Sequence, residues 1–277
     1  MAVAIALPGP ADFAAWRDAA RRLLAAAVPP EAAEWYLEGE AASLFAEPLP
    51  APTGVPTASV PRAFLALAEV AIRHRDPERF ALLYGLLWRL VHETPALLRH
   101  ATDPAVLRAE AMAKSVRRDA HKMHAFLRFR EVATPEGPHH LAWFEPDHHI
   151  EQAEAGFFVR RFAALRWTIV TPRVTSHWDG TALRFAPGGQ RADLPPDDAT
   201  AALWDTYFAA IFNPARLKPG AMRAEMPKKY WRNLPEAAAI PRLMAEAPAR
   251  VAAMVARGGT APNPRPQQPR HLKPPAP

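Results

Sequence analysis

Asp103-Pro-Ala-Val-Leu-Arg-Ala-Glu-Ala-Met-Ala-Lys-Ser-Val-Arg-Arg-Asp-Ala-His-Lys-Met-His124 runs almost directly into Phe126-Leu-Arg-Phe-Arg-Glu-Val132. The change of period between these two runs decides the fold class. In the first, Val106, Ala109, Ala113, Val116, Ala120 and Met123 recur three or four apart, which predicts a helix from Asp103 or Pro104 to about His124. At about 100° per residue, Lys114, Arg117, Arg118 and His121 fall opposite that apolar stripe. In the second run Phe126, Arg128 and Arg130 alternate with Leu127, Phe129 and Glu131, the pattern of a strand. Pro135-Glu-Gly-Pro138 is a turn and Leu141–Phe144 returns, so residues 126–144 read as a β-hairpin.

Working outward, Asp12 caps a first helix to about Ala27, and Ala33–Leu37 can form a short strand. Residues 46–61 carry prolines at 48, 50, 52, 56 and 61 and read as a linker. Helices follow over Arg62–His74 and Pro77–Glu93. Downstream, Asp147 is expected to cap a helix over His148–Glu154, with a break at Gly156 before Phe157–Leu165. Trp167–Thr171 is a strand, and Asp179-Gly180 turns a hairpin over Ser176–Phe185. A helix over about 197–212 and short helices from Pro219 complete the pattern. The prediction is an α+β protein with a small, mostly antiparallel sheet flanked by many helices and a helical N-terminal part. Its expected divisions are an N-terminal segment with linker (1–60), a main domain (61–257) and a disordered, proline-rich basic tail (258–277).

Composition narrows the function classes. The 277 residues include no cysteine, which excludes disulfides, thiolate metal sites and thiol nucleophiles. The N-terminus has neither a basic start nor a long apolar core, and no run approaches the roughly 20 apolar residues that span a bilayer. A cytoplasmic protein without a membrane partner is expected. The net charge of +6 is uneven: residues 1–111 carry −3, residues 112–257 carry +6 and the tail +3. A basic second half suits a polyanionic partner.

Three clusters carry chemistry. The first runs from Lys114 through Arg117, Arg118, His121, Lys122 and His124 to Arg128 and Arg130. It can pair with phosphates, or be a solvated helical face over core phenylalanines. The second, Glu145-Pro-Asp147-His148-His149, reads first as a helix cap, second as a phosphate contact, and third as a metal or acid–base centre. The third, Lys228-Lys229-Tyr230-Trp231-Arg232-Asn233, can stack a base and hold phosphate, or bury its two rings in the core. No P-loop, Rossmann fingerprint, His-Glu-x-x-His run or Gly-x-Ser-x-Gly elbow occurs, and no cofactor or metal is expected.

Six runs together resemble a bacterial family of DNA-repair and DNA-metabolism proteins: 118–130, 143–150, 161–167, 177–180, 211–218 and 226–235. Some members of that family join a similar unit to a uracil-DNA glycosylase-like domain. Others are associated with a radical S-adenosylmethionine protein that modifies DNA. The resemblance implies a DNA-binding accessory protein acting with such a partner, any radical chemistry belonging to the partner. Two rival functions remain: an enzyme acting on nucleic acid or a nucleotide through Glu145, Asp147, His148 and His149, and a scaffold whose basic face docks an acidic protein.

Overall fold

Alternation in Val3-Ala-Ile-Ala-Leu7 places Val3, Ile5 and Leu7 on one side of a strand, and all three are buried. This strand, β1 (Val3–Leu7), lies at the centre of a three-stranded parallel sheet in the order β2-β1-β3, with β2 over Ala33–Leu37 and β3 over Glu47–Pro48. Helix α1 (Phe13–Ala25) connects β1 to β2, and Asp12 caps it by accepting the Ala15 N–H at 2.9 Å. The computed structural model describes residues 2–40, 46–49, 51, 59–135, 137–193, 230 and 240–256.

Three helices pack beside this sheet: α2 (Arg62–Ala71), α3 (Arg79–His92) and α4 (Pro104–Phe126). Asp103 caps α4, accepting the Ala105 and Val106 N–H groups at 3.0 and 3.2 Å. Trp16, Phe64, Leu83, Leu86 and Ala113 belong to one core, so the first 60 residues and the helices after them share their buried surface. Phe13, Trp16, Trp35 and Phe80 stack in succession, with ring centroids 5.9–6.3 Å apart.

A five-stranded sheet follows in the order β4-β5-β6-β7-β8: Arg130–Thr134, Gly137–Trp143, Trp167–Val170, Val174–Trp178 and Leu183–Pro187. It is mixed, not mostly antiparallel. Helix α5 (Glu151–Arg161) carries the chain back between β5 and β6, so these two strands run parallel while the other pairs are antiparallel hairpins. Trp167 and Ile169 are buried on one face, and the Trp178 indole N–H reaches the Ala163 carbonyl at 3.2 Å on the same side. Gly180 turns the β7–β8 hairpin with φ +100°, a conformation that disfavours a side chain.

Several local expectations are corrected. Helical bonding in α4 continues through Phe126, so β4 begins at Arg130. Asp147 does not cap α5. The helix starts at Glu151 with Ile150 at the cap position, because bonds to other segments hold residues 148 and 149. Gly156 does not break the helix, which runs on to Arg161. Strand β1 was not foreseen, and β3 lies within the stretch read as linker.

The chain divides into two units, residues 1–200 and 201–277. In the second unit the described part is Tyr230, which is buried, and helix α6 (Ile240–Ala256). The expected helix over 197–212, the tail 258–277, and Lys228, Lys229, Trp231, Arg232 and Asn233 lie outside the described residues. Among the described residues no helix is long and apolar enough to cross a membrane.

Candidate functional site

Helix α4 sorts its polar residues by face. Lys114, Arg117, Arg118 and His121 are exposed, at spacings of three, four and seven, so they form one stripe. At 1.5 Å per residue that stripe is about 10 Å long. Asp119 is the one carboxylate between Glu110 and Glu131, and it points inward: it is 4% exposed, and its Oδ2 accepts the His148 backbone N–H at 2.9 Å. Between residues 111 and 126 the outer face of α4 therefore carries cations and no carboxylate, and exposed Glu110 stands one turn before Lys114. Lys114 and Arg117, together with Glu110, also border a groove of about 510 Å³ lined by Ala63, Ala66, Leu67 and Leu98.

The rest of the first cluster is placed elsewhere. Lys122, expected among the phosphate contacts, is buried at 4% exposure, with its ammonium 5.5 Å from the Phe126 ring centre. It lies one turn beyond buried Asp119 and next to buried Met123, on the side of α4 that faces the core. His124 is half-buried, stacked on Phe157 at 3.8 Å with Nε2 2.9 Å from Glu154 Oε2, so it ties α4 to α5. Arg128 turns back on the end of α4 and donates to the Ala125 and Leu127 carbonyls at 2.9 and 3.1 Å, a favourable position for a cation. Arg130 is half-buried on β4.

The second cluster is a junction between segments. The His148 ring Nδ1 accepts the Arg75 N–H at 3.2 Å, so the proton sits on Nε2 and is shared with Ser115 Oγ at 2.8 Å. The His148 ring lies tilted against the His74 ring with centroids 4.4 Å apart, and the His149 N–H donates to the Arg73 carbonyl at 2.8 Å. From the β6–β7 turn, Arg173 donates to Glu151 Oε1 at 2.8 Å and to the Pro146 and His148 carbonyls. Gly188 packs against that turn, where a Cβ would collide with the Pro172 carbonyl. Glu145 accepts the Trp143 indole N–H at 2.9 Å, and Asp147 is exposed. Of the four residues weighed as a catalytic centre, His149 alone lines the nearby cleft. Among the described residues no group of three or more His, Asp or Glu is placed to hold a metal ion.

That cleft, of about 670 Å³, was not foreseen. One wall is the β1–α1 turn, Pro8 to Phe13; the others are Arg73 after α2, His149 with the first turn of α5, and Arg173 with Val174. Buried Arg79 braces it, donating to the Pro10, Ile72 and Asp76 carbonyls at 2.6, 2.7 and 2.9 Å. Burial lowers the Arg79 guanidinium to about 10, still protonated at neutral pH. Burial also pushes His149 down to about 4, helped by Arg173, Arg79 and the neighbouring histidines. Burial lowers His74 as well. The signal in the sequence was the Pro8-Gly9-Pro10 turn, but only the fold brings it against Arg73 and His149.

A pH dependence follows. Between about 4 and 6.5 the unfolded chain takes up a proton at His149 that the folded chain refuses, so stability is complete above 6.5 and declines as the pH falls toward 4. For a half-buried ring we expect a loss on the order of 2 kcal/mol. Urea midpoints at pH 7 and 4.5 test this, and His149→Asn should flatten the decline. An equal decline in the variant would assign it elsewhere.

Fold and site define a class: an α+β protein with a cationic helix face on one side and a braced cleft at the end of a parallel strand. A family model for a domain of unknown function, DUF4130, matches residues 77–236, more than half of the chain, and the protein belongs to that family. The six sequence runs given above all lie within the match. No curated protein and no solved structure matches the chain.

Proposed function

We propose that the protein binds DNA as an accessory of a DNA-repair or DNA-metabolism system, using the stripe Lys114, Arg117, Arg118 and His121 on the phosphate backbone. The observation that carries this reading is the inward turn of Asp119, which leaves that face of α4 cationic. A stripe about 10 Å long spans roughly three phosphates of one strand. The groove beside Lys114 and Arg117 offers a sugar or an unpaired base an apolar surface next to those contacts. The family resemblance supports the same reading and extends it to a radical S-adenosylmethionine protein as the DNA-modifying partner. The expected cytoplasmic location fits that role.

The test is binding to labelled single-stranded and duplex DNA across a salt series, for wild type and Lys114→Ala/Arg117→Ala. Both side chains are exposed, so the double variant should fold normally. The slope of log K against log salt should lose about two units for duplex DNA, with affinity falling for every sequence alike. Absence of binding by wild type at low salt would overturn the reading.

A further inference from the structure

We propose that the cleft between the β1–α1 turn and the start of α5 binds a phosphate monoester of nucleotide size, with Arg73 and the first turn of α5 as the wall that holds the phosphate. This site shares no residue with the α4 stripe, and the inference does not depend on DNA binding.

Position is the first argument. The cleft opens at the carboxyl end of β1, the central strand of a parallel sheet whose neighbours lie in the order β2-β1-β3. The chain leaves β1 for β2 on one side and later returns to β3 on the other. Crevices outside the carboxyl ends of parallel strands, where the order reverses in this way, are where open α/β sheets bind ligands. About 670 Å³ is the size of a small-molecule site.

Charge is the second argument. Two carboxylates line the cleft, and each is already engaged. Asp12 caps α1 through the Ala15 N–H, and Glu151 is paired with Arg173 at 2.8 Å. The two arginines differ. Arg173 is committed to Glu151 and two carbonyls, whereas Arg73 faces only the exposed Glu69 among the described residues, at 3.9 Å and beyond hydrogen-bonding distance. Its guanidinium fork can therefore grip a phosphate. Opposite stands the start of α5, which no side chain caps, unlike the aspartate-capped α1 and α4. His149 lines the same cleft, its imidazole pushed down mainly by burial and further by Arg173 and Arg79.

Calorimetry of the full-length chain tests this with inorganic phosphate, adenosine, adenosine 5′-monophosphate and a 5′-phosphorylated oligonucleotide. Two variants leave the fold intact by different routes. Arg73→Gln removes the fork. Ala153→Glu puts a carboxylate on an exposed position in the first turn of α5, where it suits the helix but repels an anion. The monophosphate should bind, inorganic phosphate should compete with it and adenosine should not, and either variant should weaken binding at least tenfold. Competition by the phosphorylated oligonucleotide in wild type and in Lys114→Ala/Arg117→Ala would identify a nucleic-acid end as the source of the phosphate; its absence would identify a free nucleotide. No binding of phosphate or monophosphate, or binding unchanged in both variants, would overturn the proposal.

Discussion

Arg79→Met should destabilise the protein by about 3–5 kcal/mol and loosen the turn that walls the cleft. Met is close in length to the apolar stem of arginine, so the loss comes mainly from the guanidinium. That group is 3% exposed and donates to three carbonyls from two distant parts of the chain. The Ile72 carbonyl lies at the C-terminal end of α2, where a cation also meets the negative end of the helix. The Pro10 carbonyl belongs to the β1–α1 turn, so one side chain fastens the end of α2 to the end of β1. The guanidinium also lies over the Phe80 ring at 3.9 Å, a contact that offsets part of its desolvation. Without it three carbonyls lose their donor. Arg79→Lys should recover only part of the loss, since a single ammonium nitrogen cannot reach three carbonyls that the guanidinium meets with three separate nitrogens. Urea unfolding measures the first effect, and faster amide exchange over residues 8–13 the second. A midpoint within about 1 kcal/mol of wild type would remove Arg79 as the brace.

How far the sequence disclosed this arrangement depends on the range of the interactions. Helices α1 to α4 were legible because their apolar residues repeat at helical spacing and their caps, Asp12 and Asp103, are local. The hairpins β4–β5 and β7–β8 were legible from their turns. Strand β1 was missed because Val3-Ala-Ile-Ala-Leu7 alternates large with small apolar residues, and its strand character comes from parallel partners 30 or more residues away. The parallel β5–β6 pairing was missed for a similar reason: splitting α5 at Gly156 hid the crossover that returns the chain.

At the candidate site, the exposed stripe of α4 follows from period alone, and Lys114, Arg117, Arg118 and His121 lie where it put them. The burial of Lys122 and Asp119 does not follow from period, since it depends on what α4 packs against. The Glu145–His149 run was read as a local cap because Asp before a helix usually is one. Its histidines are instead claimed by Ser115, Arg73 and Arg75, contacts across 33 to 76 residues that no local pattern encodes. Arg79, which braces the cleft, looked from sequence like one more charge at the start of a helix.

Asp119→Ala should cost about 3 kcal/mol while leaving the proposed DNA binding of the folded protein unchanged. The carboxylate is buried and holds the His148 N–H, which anchors the β5–α5 connection against α4. Truncation leaves that N–H without its acceptor and a cavity beside it, and it alters the surroundings of buried Lys122 one helical turn on. The better helix propensity of Ala recovers only about half a kilocalorie per mole. Asp119→Asn keeps an oxygen acceptor and loses only the charge, so it should fall between the two. Because the residue faces inward, its loss adds no phosphate contact, and the salt slope of DNA binding should match wild type. If Asp119 lay on the outer face, the pattern would be the reverse: stability within about 0.5 kcal/mol of wild type, and tighter binding from relief of repulsion. Urea midpoints and a salt series on the same preparations therefore separate the two geometries. The inward one is what makes the α4 stripe cationic.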